Sequence, residues 1–297
     1  MASTKNKENP RACVARLDRL KLQAEKRSGT RLPAIQGFRV VRDSRVKPQG
    51  KVPTYARVRA LESRTTGCRI FVQYQRRRGW LASFFITIIG DDKLGITPED
   101  IVSVRAGYRL QLPSLVELAL DFCPTSRVDR VYVLKHGRFG KSRLRTDRGG
   151  AGGLRFGSRG SPKMVRAYAK QTVGRFRVEL ELHAAFLRRF SINDCEQLYL
   201  VASYLLPGHV RFVGFRWTKL EFYLLRRFGA AGRVILAESR RLRDEGSLRQ
   251  AVRFLSAKGV SNPHRFFLPL RINRNIRQAL REWAVRFYTL AEDFPLK

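Results

Sequence analysis

The chain has 297 residues with 60 Lys plus Arg against 24 Asp plus Glu, a formal net charge of +36. Its 43% apolar and 10% aromatic residues can fill a core, which excludes a wholly disordered polycation. Each phosphate neutralised by Lys or Arg releases condensed counterions, so the charge implies strong, salt-sensitive, sequence-independent binding to nucleic acid.

No apolar run reaches the roughly 18 residues of a membrane span, and the N-terminal residues are polar and basic rather than signal-like. The expectation is a soluble, cytoplasmic, DNA-associated protein with no membrane partner. Cys13, Cys68, Cys123 and Cys195 are widely spaced, and His136, His183, His209 and His264 are isolated. Free thiols in a reducing compartment follow, and a histidine-built metal site does not.

Residues 1–52 carry 14 Lys or Arg and 4 acids and read as a basic, largely flexible arm that tracks phosphates, with Arg11–Lys26 as a short basic helix. A sheet-centred domain is expected over 53–190. Within it CRIFVQYQ (68–75) and WLASFFITIIG (80–90) read as a strand pair around a turn at Arg76–Gly79. Thr97 followed by Pro98 signals a helix start over Thr97–Val104. The strand SLVELALDF (114–122) places Glu117 and Asp121 on one face and only apolar residues on the other.

Residues 123–178 hold 15 Lys or Arg, two acids and nine glycines. They read as three short strands, around Arg130–Leu134, Gly153–Gly157 and Met164–Ala169, followed by a fourth, Arg175–His183. From 191 to 297 the apolar period becomes helical, over Cys195–Leu205, Trp217–Phe228, Gly232–Leu242, Ser247–Ala257 and Asn273–Leu290. The fold class is therefore α+β: a mainly antiparallel sheet domain with packed helices, then a helical C-terminal domain.

Two groups of residues could carry chemistry. Glu179 and Glu181 leave one face of their strand roughly 6.5 Å apart, and if that strand neighbours the one carrying Glu117 and Asp121, three carboxylates can converge on a hard cation. The alternative is an internal ion-pair network with Arg105, Arg166 or Arg177. Tyr168 lies between Arg166 and Lys170 at a spacing of two, so all three share a face, where cations would favour the phenolate of a nucleophile attacking a phosphodiester. A Tyr simply filling a half-exposed sheet face, with Arg stacked on it, is the plainer alternative. Phe139, Phe156 and Tyr168, interleaved with arginines, could stack single-stranded bases or fill the core. FGSRGS (156–161) forms a turn able to offer backbone N–H groups and the Arg159 guanidinium to a phosphate.

The order of ELALDF (117–122), a glycine-rich basic stretch, FGSRGSPKMVRAYAK (156–170) and RVELEL (177–182) resembles the rolling-circle replication initiation factors of plasmids and phages, which are tyrosine nickases. The resemblance spans roughly residues 68–190. It implies a replication initiator of a mobile element that nicks and rejoins one DNA strand through a covalent 5′-phosphotyrosine with Mg²⁺ or Mn²⁺. Tyr168 is then the nucleophile, assisted by Arg166 and Lys170. Glu179 is a metal ligand, with Asp121 or Glu117 a second by strand position and Glu181 beside them. Arg159, Arg155, Lys163 and Arg177 hold phosphates.

The partner is origin DNA, single-stranded or hairpinned at the nick, with a homodimer and a host helicase as further partners. Ala169 follows Tyr168 where the family has an acidic or amide residue, and the His-hydrophobic-His pair of other rolling-circle nickases is absent. The alternative function is a non-catalytic origin or operator binder that places 247–257 or 273–290 in a groove. RNA binding by the sheet is a third reading.

Overall fold

The computed structural model describes residues 13–26, 31–45, 57–77, 80–122, 132–135, 143–146, 152–157, 161–170, 175–205, 210–243, 248–269 and 272–292. The strands are β1 (Cys13–Lys26), β2 (Phe38–Arg45), β3 (Arg57–Ser63), β4 (Arg69–Arg77), β5 (Trp80–Ile89), β6 (Tyr108–Phe122), β7 (Tyr132–Lys135), β8 (Arg143–Thr146), β9 (Gly152–Phe156), β10 (Lys163–Lys170), β11 (Arg175–His183), β12 (Val210–Phe215) and β13 (Phe267–Pro269). The helices are α1 (Pro98–Gly107), α2 (Ala184–Arg189), α3 (Leu200–Leu205), α4 (Trp217–Phe228), α5 (Ala230–Arg241), α6 (Leu248–Ala257) and α7 (Ile272–Glu292). The fold is α+β, as the apolar periods imply.

Ten strands form one antiparallel sheet in the order β2-β3-β4-β5-β1-β6-β11-β10-β9-β8. One face is apolar throughout its middle. Ile70 and Val72 of β4, Ile86 and Ile88 of β5, Val116 and Leu118 of β6, and Val178 of β11 are fully buried there. Helices cover this face. Thr97 caps α1 through a reciprocal box in which its hydroxyl accepts from the Asp100 N–H and Asp100 accepts from the Thr97 N–H. Trp283 and Phe287 of α7 insert into the same core.

Cys13–Lys26, expected as a basic helix in a flexible arm, is instead a strand at the middle of the sheet, paired with β5 on one side and β6 on the other. Its buried residues change phase: Cys13, Ala15 and Leu17 face the core, then Leu20, Leu22 and Ala24. Register passes from Leu17 opposite Leu118 to Arg19 opposite Glu117, leaving Asp18 as the extra residue of a β-bulge. The Phe38–Arg45 segment of the expected arm is also in the sheet, as β2.

The helical C-terminal region divides between two cores. A second cluster gathers Phe215, Leu220, Leu224, Ile235, Leu255 and Phe266 from β12, α4, α5, α6 and the turn before β13, whereas α7 returns to the main sheet. A Cβ on Gly232 would stand 2.4 Å from the Leu224 carbonyl oxygen, so glycine lets α5 approach α4 closely. β12, β13 and α2 are elements that the apolar periods did not mark.

Candidate active site

The other face of the sheet carries the charge. Directly opposite residues in antiparallel strands share a face, so the register assembles the site row by row. Arg166 of β10 stands opposite Glu179 of β11, which stands opposite Ala119 of β6 and, through it, Arg16 of β1. In the next row Tyr168 is opposite Arg177, and Arg177 opposite Asp121. On the other side Glu181 is opposite Glu117, and Glu117 opposite Arg19.

Glu117 and Glu179 are almost fully buried, at 1% and 3% exposure. Arg166 lies between them, with Nη2 2.8 Å from Glu117 Oε1 and 2.7 Å from Glu179 Oε2. The second contact has the distance of an ion pair but not hydrogen-bond geometry, so Glu179 Oε2 and Glu117 Oε2 are both buried without a hydrogen-bond donor. Burial, and then the neighbouring Glu179 carboxylate, push the Glu117 carboxyl up to about 7. Glu179 is raised as well, chiefly by burial.

Asp18, projected by the bulge, completes a group. One ligand atom from each of Asp18, Glu117 and Glu179 lies within 4.8 Å of the others. Nothing in the sequence reading pointed to Asp18, because its segment was expected as a helix. The available signal was the slip in apolar phase between Leu17 and Leu20.

Asp121 and Glu181, expected as ligands, are engaged elsewhere. Asp121 receives two hydrogen bonds from Arg177, at 2.6 and 2.8 Å, and a third from Arg16. Glu181 Oε1 lies 3.1 Å from His183 Nε2, a contact at ion-pair distance without hydrogen-bond geometry. The third member of the group therefore comes from β1 rather than from either of them.

Tyr168 is half-buried, and its hydroxyl donates to Glu179 Oε1. The expectation that cations would favour the phenolate does not hold. Burial and the Glu179 carboxylate raise the phenol above its ordinary range, and these outweigh the opposing pull of Arg177 and Arg166.

Arg177, expected to hold a phosphate, is fully buried and bidentate to Asp121, with a further bond of 3.1 Å to Asp18. It is an internal brace that phosphate cannot reach. Lys163 lies on the opposite face, one residue out of phase with Met164 and Arg166, with its ammonium 5.9 Å from the Phe186 ring centre. It is not part of the site. Lys170 shares the Tyr168 face and pairs with Asp92 from the turn after β5. Arg155 stands opposite Arg166 and donates to Met164 Sδ at 3.0 Å. Arg105, one of the candidate ion-pair partners, bonds Glu196 instead. Arg159 and Phe139 lie outside the described residues.

The three carboxylates suit a hard divalent cation, which takes oxygen ligands. The observation that fits it is that Glu117 Oε2 and Glu179 Oε2 accept no hydrogen bond, although Arg19 and Arg166 stand at ion-pair distance, since a buried acceptor without a hydrogen bond is costly. Five carboxylates of the network (Asp18, Glu117, Asp121, Glu179, Glu181) face four guanidinium groups (Arg16, Arg19, Arg166, Arg177), so one more positive charge, or a proton, balances the set.

No family model and no curated protein matches this chain. Among solved structures, a rolling circle replication initiator protein from Geobacillus stearothermophilus is similar, with a TM-score of 0.39 and 15% identity over 68% of this chain and 87% of that one. At that level of likeness the functional reading rests on the site itself. No helix among the described residues is long and apolar enough to cross a membrane.

Proposed function

We propose that the chain is a replication initiator that nicks and rejoins one DNA strand through Tyr168. The supporting observation is the juxtaposition of a half-buried phenol with Glu179, a carboxylate that also belongs to a three-acid group able to hold Mg²⁺ or Mn²⁺. The two oxygens of Glu179 can have separate tasks: Oε1 accepts the phenol hydrogen bond, and Oε2, which accepts none, would be left to hold a cation together with Glu117 and Asp18.

In the reaction the Tyr168 oxygen attacks phosphorus as its proton passes to Glu179, and the bond from phosphorus to the 3′-oxygen breaks. The products are a 5′-phosphotyrosine and a 3′-oxygen that takes a proton from solvent. A divalent cation bound by Asp18, Glu117 and Glu179 supplies neutralisation of charge on the phosphoryl oxygens. Arg155, and Lys170 once released from Asp92, lie on the face where they offset the charge of the incoming strand. Because the intermediate keeps the phosphodiester energy, attack by a 3′-hydroxyl reverses the step and rejoins the strand.

The competing reading is a non-catalytic DNA binder whose acids form an ion-pair network. It is favoured by the position of Arg166, which occupies the space between Glu117 and Glu179. A supercoiled plasmid carrying the DNA that flanks the gene separates the two. Incubated with the protein and Mn²⁺, it is expected to relax and to carry protein that survives denaturant. Tyr168→Phe should abolish both effects while binding is kept; nicking by that variant removes Tyr168 from the scheme, and no nicking by either protein leaves the binder.

A further inference from the structure

We propose that the solvent face of β4, β5 and β1, beside the acid group, is a stacking platform that holds single-stranded DNA through Phe71 and Phe85. The inference rests on the DNA reading above for the identity of the strand, and it adds a binding surface outside the catalytic group.

Alternation along the strands defines the surface. On β5, Phe84, Ile86 and Ile88 are buried while Phe85, Thr87 and Ile89 are partly exposed on the other side. On β4, Ile70, Val72 and Tyr74 are buried while Phe71 and Gln73 are partly exposed and Arg69 is exposed. Past the bulge, β1 turns Arg19, Lys21 and Gln23 outward. Register then lays out three rows: Arg19, Ile89 and Arg69; Lys21, Thr87 and Phe71; Gln23, Phe85 and Gln73.

A solvated sheet face ordinarily carries polar residues, and two phenylalanines on one need a reason. Their neighbours supply it. The Lys21 ammonium sits 4.3 Å from the centre of the Phe85 ring, and Arg19 and Arg69 flank the same area. No carboxylate falls within the three rows. Glu62, opposite Arg69, is paired with Arg39, and Glu25 lies at the far end of β1 opposite Arg109. Aromatic faces among cations are what single strands require, since bases stack on the rings and phosphates meet the charges without reference to sequence.

The platform is continuous with the site. Arg19 places Nη1 3.5 Å from Glu117 Oε2 on the adjacent strand. At about 4.8 Å between strands and about 3.3 Å per residue, both rings lie roughly 16 Å from Glu117 and roughly 30 Å from Tyr168. A strand stacked on them would run along this face past the acid group to reach Tyr168.

The test uses the full chain carrying Tyr168→Phe, which prevents cleavage, with a fluorescent mixed-sequence oligonucleotide as a single strand or as its duplex. Adding Phe71→Leu or Phe85→Leu keeps the apolar bulk and is expected to weaken single-strand binding on the order of tenfold, with duplex affinity and thermal unfolding unchanged. Equal loss on both DNAs, or no loss on the single strand, overturns the platform. Should either variant fail to fold, photocrosslinking of a bromodeoxyuridine single strand to the Tyr168→Phe chain is expected to attach at Phe71 or Phe85; attachment only elsewhere refutes it. Single-strand binding unaffected by the leucine substitutions, with nicking by the Tyr168 chain, sinks this inference alone, whereas the expected loss without any nicking sinks the catalytic reading alone.

Discussion

Tyr168 and Glu179 meet diagonally across β10 and β11: each faces a different partner in register, yet the phenol hydroxyl donates to Glu179 Oε1. The carboxylate thus holds the phenol neutral, and in the proposed reaction it is also the group that takes its proton. Removing that negative charge should make the phenol more acidic. Glu179→Gln is expected to lower the Tyr168 titration, although burial keeps it above the ordinary value of about 10. Ultraviolet titration of this variant against the same variant carrying Tyr168→Phe isolates the group. An unmoved midpoint would mean that Glu179 does not govern the phenol.

Arg166 stands where a cation would stand, and the two should compete. Arg166→Gln is expected to tighten Mn²⁺ binding while costing about 1–3 kcal/mol of metal-free stability, less than a fully buried pair because Arg166 is itself 36% exposed. Added Mn²⁺ should then raise the melting temperature of the variant more than that of the parent. If Mn²⁺ stabilises both equally, the guanidinium does not occupy the cation position.

Asp92, in the turn after β5, pairs with Lys170. Its carboxyl lies below the usual range because Lys170 donates a hydrogen bond to it. With the folded value below the unfolded one, near 3.9, the contact contributes stability above that pH and loses it as pH falls through the folded value. Asp92→Asn should erase this acid-side dependence. It should also release the ammonium to phosphate, so the logarithmic salt slope of DNA binding becomes steeper by about 1. An unchanged slope would show that Lys170 does not reach the backbone.

Among the cysteines, Cys13, Cys68 and Cys195 are buried free thiols, and burial pushes Cys195 up to about 12. At pH 8 only about one in ten thousand of such a thiol is thiolate. In native protein these three should resist iodoacetamide and react on unfolding, as read by mass spectrometry. Rapid native labelling would contradict their burial.

The close approach of α4 and α5 gives a test of the second core. Gly232→Ala is expected to cost about 1–3 kcal/mol, since the added carbon meets backbone and not a movable side chain. Chemical denaturation followed by circular dichroism measures it; an unchanged midpoint would mean that the helices can separate freely.

Much of this architecture was legible where one period ran unbroken. β11 alternates cleanly from Arg175 to His183, and α4 repeats at helical spacing from Trp217 to Phe228, so both were readable to the residue. The Thr97 cap was readable because its chemistry is local. β1 was not, because the bulge at Asp18 reverses its parity and leaves a basic segment that matches neither template well. The site suffered for the same reason. Side chains sharing one strand face were clear, but which strands are neighbours is decided by tertiary register, so Asp18 was missed and Arg177 was placed at a surface it never reaches.

The strand that contributes Asp18 is also held by the last helix: Arg286 of α7 donates to the Ala15 carbonyl at 3.3 Å, and Trp283 and Phe287 close the core that includes Leu17. A nascent polypeptide emerging from the ribosome therefore lacks part of the cover over this strand until residues 272–292 have been translated. Premature termination before that helix would yield a product prone to aggregation and degradation.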